Sequence, residues 1–318
     1  MSKTVLVTAT NYSVLCGEAK QLLESQGFRI IENDKGRPLT YEELSDIVPH
    51  VDAVVAGVDT WDEPVFKLAE RLQIIARFGV GVDNIDLEAA KRFGVQVTNV
   101  PGGNANAVAE LTVGLMLSAL RNIPYLYETT RQGGWSRKAG IELAGRTVGL
   151  LGFGNIARMT ARKLQGFDVR VIAYDKYPNM QLAEQLGVTI VSMEEVLTDS
   201  DIVSMHLPSL PETRKLMGDK QFAMMKPSAY FVNTARGALV DETALRGALE
   251  AGRIAGAAID VYESEPVAPD NPLFQIDNIV TTPHTAAETL ETYRRVSLAT
   301  AEAIIQAFSG KTPENLLV

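Results

Sequence analysis

The stretch 147–175, TVGLLGFGNIARMTARKLQGFDVRVIAYD, limits what this chain can fold into more than any other. Its first five residues, 147–151, are an apolar, partly β-branched run of the kind that makes a buried strand. Gly152 and Gly154 permit a tight turn and a close backbone approach, and Asn155 opens a helix ending near Gln165 and Gly166. A second strand, 169–174, delivers Asp175, 21 residues after Gly154. A pyrophosphate fits the free N–H groups of such a helix N-terminus, and the carboxylate is spaced to accept ribose hydroxyls. Ala157 stands where a third glycine is usual, a position that governs helix–strand packing rather than phosphate contact. A glycine turn in an ordinary βαβ unit, or the nucleotide site of a methyltransferase, has the same outline. The rest of the chain has to decide between them.

On both sides of this stretch, short β-rich runs alternate with amphipathic helices, which predicts an α/β fold with parallel sheets. Before it, strands are expected at 4–9, 28–32, 53–58, 73–78 and 95–100. After it, they are expected at 188–191, 202–207, 229–234, 255–261 and 279–282. Thr40 with Glu43 and Ser192 with Glu195 read as capping boxes, and Asp86 and Asp241 as helix starts closed by Gly94 and Gly252. PGG at 101–103 interrupts the pattern before a helix apolar on most faces, which marks a core helix of a second domain. Residues 122–140 read as a long connection with a plausible dimer contact, and 286–308 as one long helix.

With 318 residues, two domains with their own cores are expected. The 30 basic against 39 acidic residues, without Lys/Arg blocks, argue against a nucleic-acid or anionic-membrane surface. The single cysteine, Cys16, excludes an intramolecular disulfide and a Cys-based zinc cluster, and no metal is expected. The N-terminus has no signal-peptide run and no apolar stretch reaches membrane-spanning length, so a cytoplasmic protein is expected.

Chemistry gathers at the strand ends of the second half, where ligands of open α/β sheets bind. Arg236 follows the 229–234 strand, Asp260 and Glu265 accompany the 255–261 strand, and His284 follows the 279–282 strand. An arginine fork binds a carboxylate bidentately and polarises an adjacent carbonyl. A histidine gives or takes a hydroxyl proton near neutral pH, and a glutamate beside it holds one tautomer of the ring. Beside a nicotinamide, this is equipment for interconverting a 2-hydroxy acid and a 2-oxo acid by hydride transfer. Taken singly, Arg236, Glu265 and His284 read as ordinary loop residues; their joint placement distinguishes them. His50 reads as a loop histidine, and His206 ends a strand on the same rim without an assigned role.

These residues are similar to a known family. The chain resembles the D-isomer-specific 2-hydroxyacid dehydrogenases, in particular the short phosphoglycerate dehydrogenase-like members without a C-terminal regulatory domain. The resemblance rests on RFGVGVDNIDLEAA (77–90), NANAVAELTVGLML (104–117), LLGFGNIA (150–157), Asp175, NTARGALVDETAL (233–245), AAIDVYESEP (257–266) and TPHTAA (282–287). It implies two Rossmann-like domains with a cleft between them. The substrate domain, flavodoxin-like, is expected at 1–100 plus 290–318 and the NAD-binding Rossmann domain at 101–289. It also implies Arg236, Glu265 and His284 as the catalytic residues. Cofactor contacts fall on Gly152, Gly154, Asn155, Ile156, Asp175, Leu207, Thr234, Ala235, Arg236, Asp260 and His284, with Asp260 on the nicotinamide amide. Substrate contacts fall on Arg77, Val80, Gly81 and Arg236, and a homodimer through the cofactor lobe is implied.

The expected cofactor is NAD rather than NADP, because the Asp175 carboxylate repels a 2′-phosphate. The expected partner is a small 2-hydroxy or 2-oxo acid. Phosphoglycerate dehydrogenases of this kind carry an arginine after the third strand for the substrate phosphate, where this chain has Gly57 and Val58. An NAD-binding corepressor-like scaffold is the alternative from another class.

Overall fold

A computed structural model describes residues 2–318. The described residues fall into two compact units, one reaching Asn104 and resuming at Glu288–Val318, the other Ala105–Ala287.

The first unit holds strands β1 (Thr4–Val7), β2 (Arg29–Glu32), β3 (Ala53–Ala56), β4 (Ile74–Arg77) and β5 (Gln96–Thr98). All pair in parallel in the order β2-β1-β3-β4-β5, the flavodoxin-like order. Parallel strands joined by crossover helices are covered on both faces, so they read as unbroken apolar runs rather than alternating ones. In β3, Val54 and Ala56 join the core on one face, and Ala53 and Val55 that on the other. Each Val, Leu or Ile buried in this way contributes about 1.5–3 kcal/mol. The helix Leu290–Phe308 belongs to this unit, packing on the helix Gly17–Ser25 and on β4. The buried, free Cys16 lies beside this packing, its thiol directed at the Tyr293 carbonyl.

The second unit holds β6 (Thr147–Leu151), β7 (Arg170–Tyr174), β8 (Val188–Ile190), β9 (Ile202–Met205), β10 (Tyr230–Asn233), β11 (Gly256–Ile259) and β12 (Ile279–Thr281). They form one parallel sheet, β12-β11-β10-β9-β6-β7-β8, the doubly wound order of dinucleotide-binding folds. The helix Ala105–Leu120, apolar on most faces, packs against β10, β11, β12 and the helix Asn155–Leu164, leaving only a narrow face with Asn106 and Glu110 exposed.

All twelve expected strands form among the described residues, shorter at their ends by up to three residues where loops take over the backbone hydrogen bonds. Both capping boxes form, at Thr40/Glu43 and Ser192/Glu195. Two expectations are corrected. The last helix begins at Leu290 rather than at 286, because Thr289 caps it and Asp260 claims the amides of Thr285 and Ala286. The segment 122–140 is not all connection: Ile123–Arg131 is a helix, entered through Asn122 in the left-handed region. Among the described residues no helix is long and apolar enough to cross a membrane.

Candidate active site

In the seven-stranded sheet the strand order reverses between β6 and β9, the point at which doubly wound sheets open a crevice. The chain leaves β6 through Gly152 at φ 102°, where an added Cβ would lie 2.8 Å from the His206 carbonyl carbon and 2.9 Å from the Leu207 nitrogen. Only glycine lets this turn rest on the end of β9. The Gly152 N–H donates to the Tyr174 carbonyl (2.7 Å), while Phe153 and Tyr177 N–H donate to the two oxygens of Asp175 (2.7 and 2.8 Å). Asp175 thereby ties the glycine turn to the end of β7.

The helix Asn155–Leu164 starts at Gly154 with no side-chain cap, so its first-turn N–H groups at Asn155 and Ile156 stay open to an anion. Ala157 is fully buried with Val148 and Leu150, in keeping with a packing role. A close-approach glycine, an uncapped helix start and a carboxylate ending the next strand are what a dinucleotide requires, and the residues present fit one. His206 stacks its Nε2 against Ser204 Oγ at 2.9 Å, and burial pushes its pKa down to about 4, so it stays neutral near pH 7.

Three loops of the same unit carry the expected catalytic groups. After β10, buried Asn233 donates to the Arg236 carbonyl (2.9 Å) and accepts the Ala235 N–H (3.0 Å), folding the loop around Thr234 and Ala235. Thr112, inside the apolar helix, donates to the Val108 carbonyl (2.7 Å), so the 2.8 Å contact with Thr234 has Thr234 as donor. Sequence reasoning missed Thr112; a polar residue on the buried side of a mostly apolar helix was its only signal. Gly237 is buried against the next loop.

After β11, Glu265 accepts the Tyr262 N–H through Oε1 (2.9 Å) and meets His284 Nδ1 through Oε2 at 2.6 Å. Burial works to raise the Glu265 carboxyl. The His284 hydrogen bond and charge, the Tyr262 amide and the Arg236 charge outweigh it and hold the group below its ordinary value. Arg236 itself donates through Nη1 to the Ala235 carbonyl (2.7 Å). The Glu265 contact commits Nδ1 of His284, leaving Nε2 as the nitrogen that can reach a reacting atom.

Asp260 lies at the end of β11, beneath the loop that carries His284. It is fully buried, and its carboxylate accepts Thr282 Oγ1 (2.6 Å) and the N–H groups of Thr285 and Ala286 (2.9 Å each). Its carbonyl accepts the His284 N–H at 2.7 Å. Asp260 therefore holds the His284 loop in shape. His284 sits at φ 50°, a posture this anchoring maintains.

In the first unit, β4 runs into Phe78-Gly79-Val80-Gly81. Arg77 curls over this loop, donating Nε to the Gly81 carbonyl (2.8 Å) and Nη1 to the Ala56 (3.3 Å) and Phe78 carbonyls. Asn99 Nδ2 and Val100 N–H hold the Val80 and Gly79 carbonyls, each at 2.8 Å. Among the described residues the Val80 and Gly81 N–H groups meet no acceptor. Arg77 therefore shapes a turn whose amides are open, as an anion-binding loop requires.

A doubly wound sheet with an open helix start and a carboxylate closing its second strand defines a dinucleotide-binding α/β protein. Residues 113–286 match the family described as D-isomer specific 2-hydroxyacid dehydrogenase, NAD binding domain. The chain belongs to that family. It is 44% identical over 280 residues to a D-3-phosphoglycerate dehydrogenase of Archaeoglobus fulgidus, covering 87% of this chain and 53% of that one. It is 39% identical over 310 residues to a glyoxylate reductase of Aeropyrum pernix, covering 94% of this chain and 92% of that one. The chain thus spans about half the length of the phosphoglycerate dehydrogenases it matches. A crystal structure of a Thermus thermophilus protein shares 35% identity and a TM-score of 0.91, covering 99% of this chain and all of the other.

Proposed function

We propose that the chain is an NAD-dependent dehydrogenase interconverting a D-2-hydroxy acid and its 2-oxo acid, in the manner of phosphoglycerate dehydrogenases or of glyoxylate and hydroxypyruvate reductases. The observation that carries this reading is the 2.6 Å contact of His284 Nδ1 with Glu265, with the Arg236 charge acting on the same carboxylate. Arg236 binds the substrate carboxylate and polarises its carbonyl. His284 Nε2 gives a proton to the carbonyl oxygen in reduction and takes it back in oxidation, while Glu265 keeps the ring in the working tautomer.

Bound nicotinamide supplies the hydride. Gly152, Gly154, Asn155 and Ile156 hold its pyrophosphate, Asp175 its ribose, and Leu207, Thr234 and Ala235 line its path. The seven-stranded unit is thus the cofactor domain. The five-stranded unit is the substrate domain, where Val80 and Gly81 amides hold the carboxylate on a loop shaped by Arg77. Asp260 acts as a positioning residue.

Asp175 disfavours the 2′-phosphate of NADP, so NADH should serve clearly better than NADPH. We also propose a homodimer built on the 123–135 segment of the cofactor domain, where Tyr125, Tyr127 and Trp135 are exposed. We assign the activity to the cytoplasm, in keeping with a family of small-molecule dehydrogenases. His284→Ala should lower kcat by about 10²–10⁴-fold while NADH binding, followed by fluorescence, persists. Turnover surviving nearly unchanged would remove His284 from the mechanism.

A further inference from the structure

Two buried hydroxyl groups beneath the crevice take no part in the proposed chemistry. Ser204, inside β9, is fully buried, and so is Thr112, inside the helix Ala105–Leu120. Each touches one residue at the carboxyl end of the seven-stranded sheet. Ser204 Oγ meets His206 Nε2 at 2.9 Å, and Thr112 Oγ1 meets Thr234 Oγ1 at 2.8 Å.

The strand register sets those two residues side by side. β10 pairs with β9 so that Val232 lies opposite Ser204 and Asn233 opposite Met205, and one further step brings Thr234 opposite His206. Side chains alternate along a strand, so both share the face on which Ile202 and Val232 pack beneath the helices Ala105–Leu120 and Asn155–Leu164. The same step along β6 reaches Gly152, where an added Cβ would meet the His206 backbone. Gly152, His206 and Thr234 therefore stand in one row where the strand order reverses.

The buried hydroxyls decide what this row can offer a ligand. Among the described residues the Ser204 hydroxyl has no acceptor other than His206 Nε2. A buried hydroxyl hydrogen without an acceptor is strongly unfavourable, so Ser204 donates and Nε2 accepts. Burial keeps the ring uncharged near pH 7, so its one proton is on Nδ1. Among the described residues Nδ1 has no hydrogen-bond partner, and it stays open to solvent in a half-buried residue. Thr112 gives its own hydrogen to the Val108 carbonyl at 2.7 Å, so Thr234 is the donor between the two threonines and keeps only lone pairs for a ligand. The row thus presents a donor at His206 beside an acceptor at Thr234. A phosphate satisfies only the first, whereas a hydroxyl group satisfies both.

Along the sheet, the ends of β9 and β10 lie between the open helix start after β6 and the His284 loop after β12. The part of a dinucleotide between its pyrophosphate and its nicotinamide is the nicotinamide ribose. We propose that Ser204 and Thr112 are positioning residues of the cofactor site: from beneath, they fix His206 as donor and Thr234 as acceptor to one hydroxyl of that ribose. This rests on the placing of NAD on the seven-stranded unit above.

The chain has three histidines, so the His206 proton can be located directly. Nitrogen NMR of the imidazoles, with His206 assigned through His206→Gln, should show Nδ1 protonated and Nε2 bare in cofactor-free wild type, and Ser204→Ala should lose that fixed state. NADH fluorescence titrations then follow binding to the wild type, Ser204→Ala, Thr112→Val and Thr112→Ser, with thermal melts to confirm folding. Ser204→Ala and Thr112→Val should each raise the NADH Kd about fivefold, the scale of one hydrogen bond. Thr112→Ser keeps the hydroxyl and should stay within about twofold of wild type. Of the two NADH analogues lacking the 2′- or the 3′-hydroxyl of the nicotinamide ribose, one should bind wild type about fivefold more weakly than NADH. That gap should close in Ser204→Ala and Thr112→Val, whereas a merely loosened fold would weaken NADH and analogue alike. A wild-type His206 protonated on Nε2, or a gap that persists in both folded variants, overturns the proposal. Binding as described without turnover of any 2-oxo acid removes the dehydrogenase reading and leaves the ribose assignment standing.

Discussion

A Cβ added to Gly237 would lie 1.9 Å from the Tyr262 carbonyl carbon and 2.5 Å from the Glu263 nitrogen. The loop carrying Arg236 and the loop carrying Glu265 are therefore in backbone contact, with no flexible side chain between them to give way. Gly237→Ala should destabilise the protein by about 3 kcal/mol in urea melts, the upper range of overpacking, and lower kcat at temperatures where the variant stays folded. An unchanged melt would mean the loops part easily. Asp175 is a second residue with two duties under the proposed function, since its oxygens hold the Phe153 and Tyr177 amides and the same carboxylate is the proposed ribose acceptor. Asp175→Ala should weaken NADH binding about tenfold without an equal gain for NADPH, because the glycine turn loses its anchor. A clean switch to NADPH would show that the turn holds without it. Arg236, Glu265 and His284 were legible as residues because loop positions after strands are countable in a chain. The buried role of Asp260 and the reach of Thr112 to Thr234 were not, because the first depends on a side chain meeting a backbone amide 26 residues away and the second on two side chains meeting across 122.

At the scale of elements, local chemistry and long-range packing contributed unequally. Helix starts marked by Thr40 and Ser192 form as read, because a cap needs only its own next three residues. Ser192→Ala should cost about 1 kcal/mol in denaturant melts and leave kcat unchanged, since that helix lies away from the catalytic loops. The start of Leu290–Phe308 was misread because Ala286, Ala287 and Glu288 suit a helix. The Asp260 carboxylate, pulling on two amides, outweighs that preference. The helix Ile123–Arg131 was hidden by the mixed aromatic and charged surface of a segment that buries none of its residues.

At the scale of the whole molecule, acid acts through groups that folding has moved in the same direction. The His206 pKa falls from 6.5 to about 4 on burial. Between those values the unfolded chain binds a proton that the folded chain refuses, so stability is lost as pH falls through that window. Glu265, also lowered, contributes stability above the ordinary carboxyl range that is lost as pH falls through its folded value. Urea midpoints should therefore decline from pH 6.5 downward, and His206→Gln should flatten the upper part of that decline. A midpoint independent of pH across the window would contradict the burial of His206. By itself the sequence determined the alternation of strand and helix, the glycine turn with Asp175 behind it, and the placing of Arg236, Glu265 and His284 after successive strands. These depend on periodicity, caps and spacing that neighbouring residues impose. Only the tertiary structure decided the strand orders of the two sheets and the anchoring of the His284 loop on Asp260. It also decided the engagement of Arg77 with its own loop and the meeting of Thr112 with Thr234. Each of these is a contact between residues far apart in the chain, and such contacts exist only once the sheets have formed.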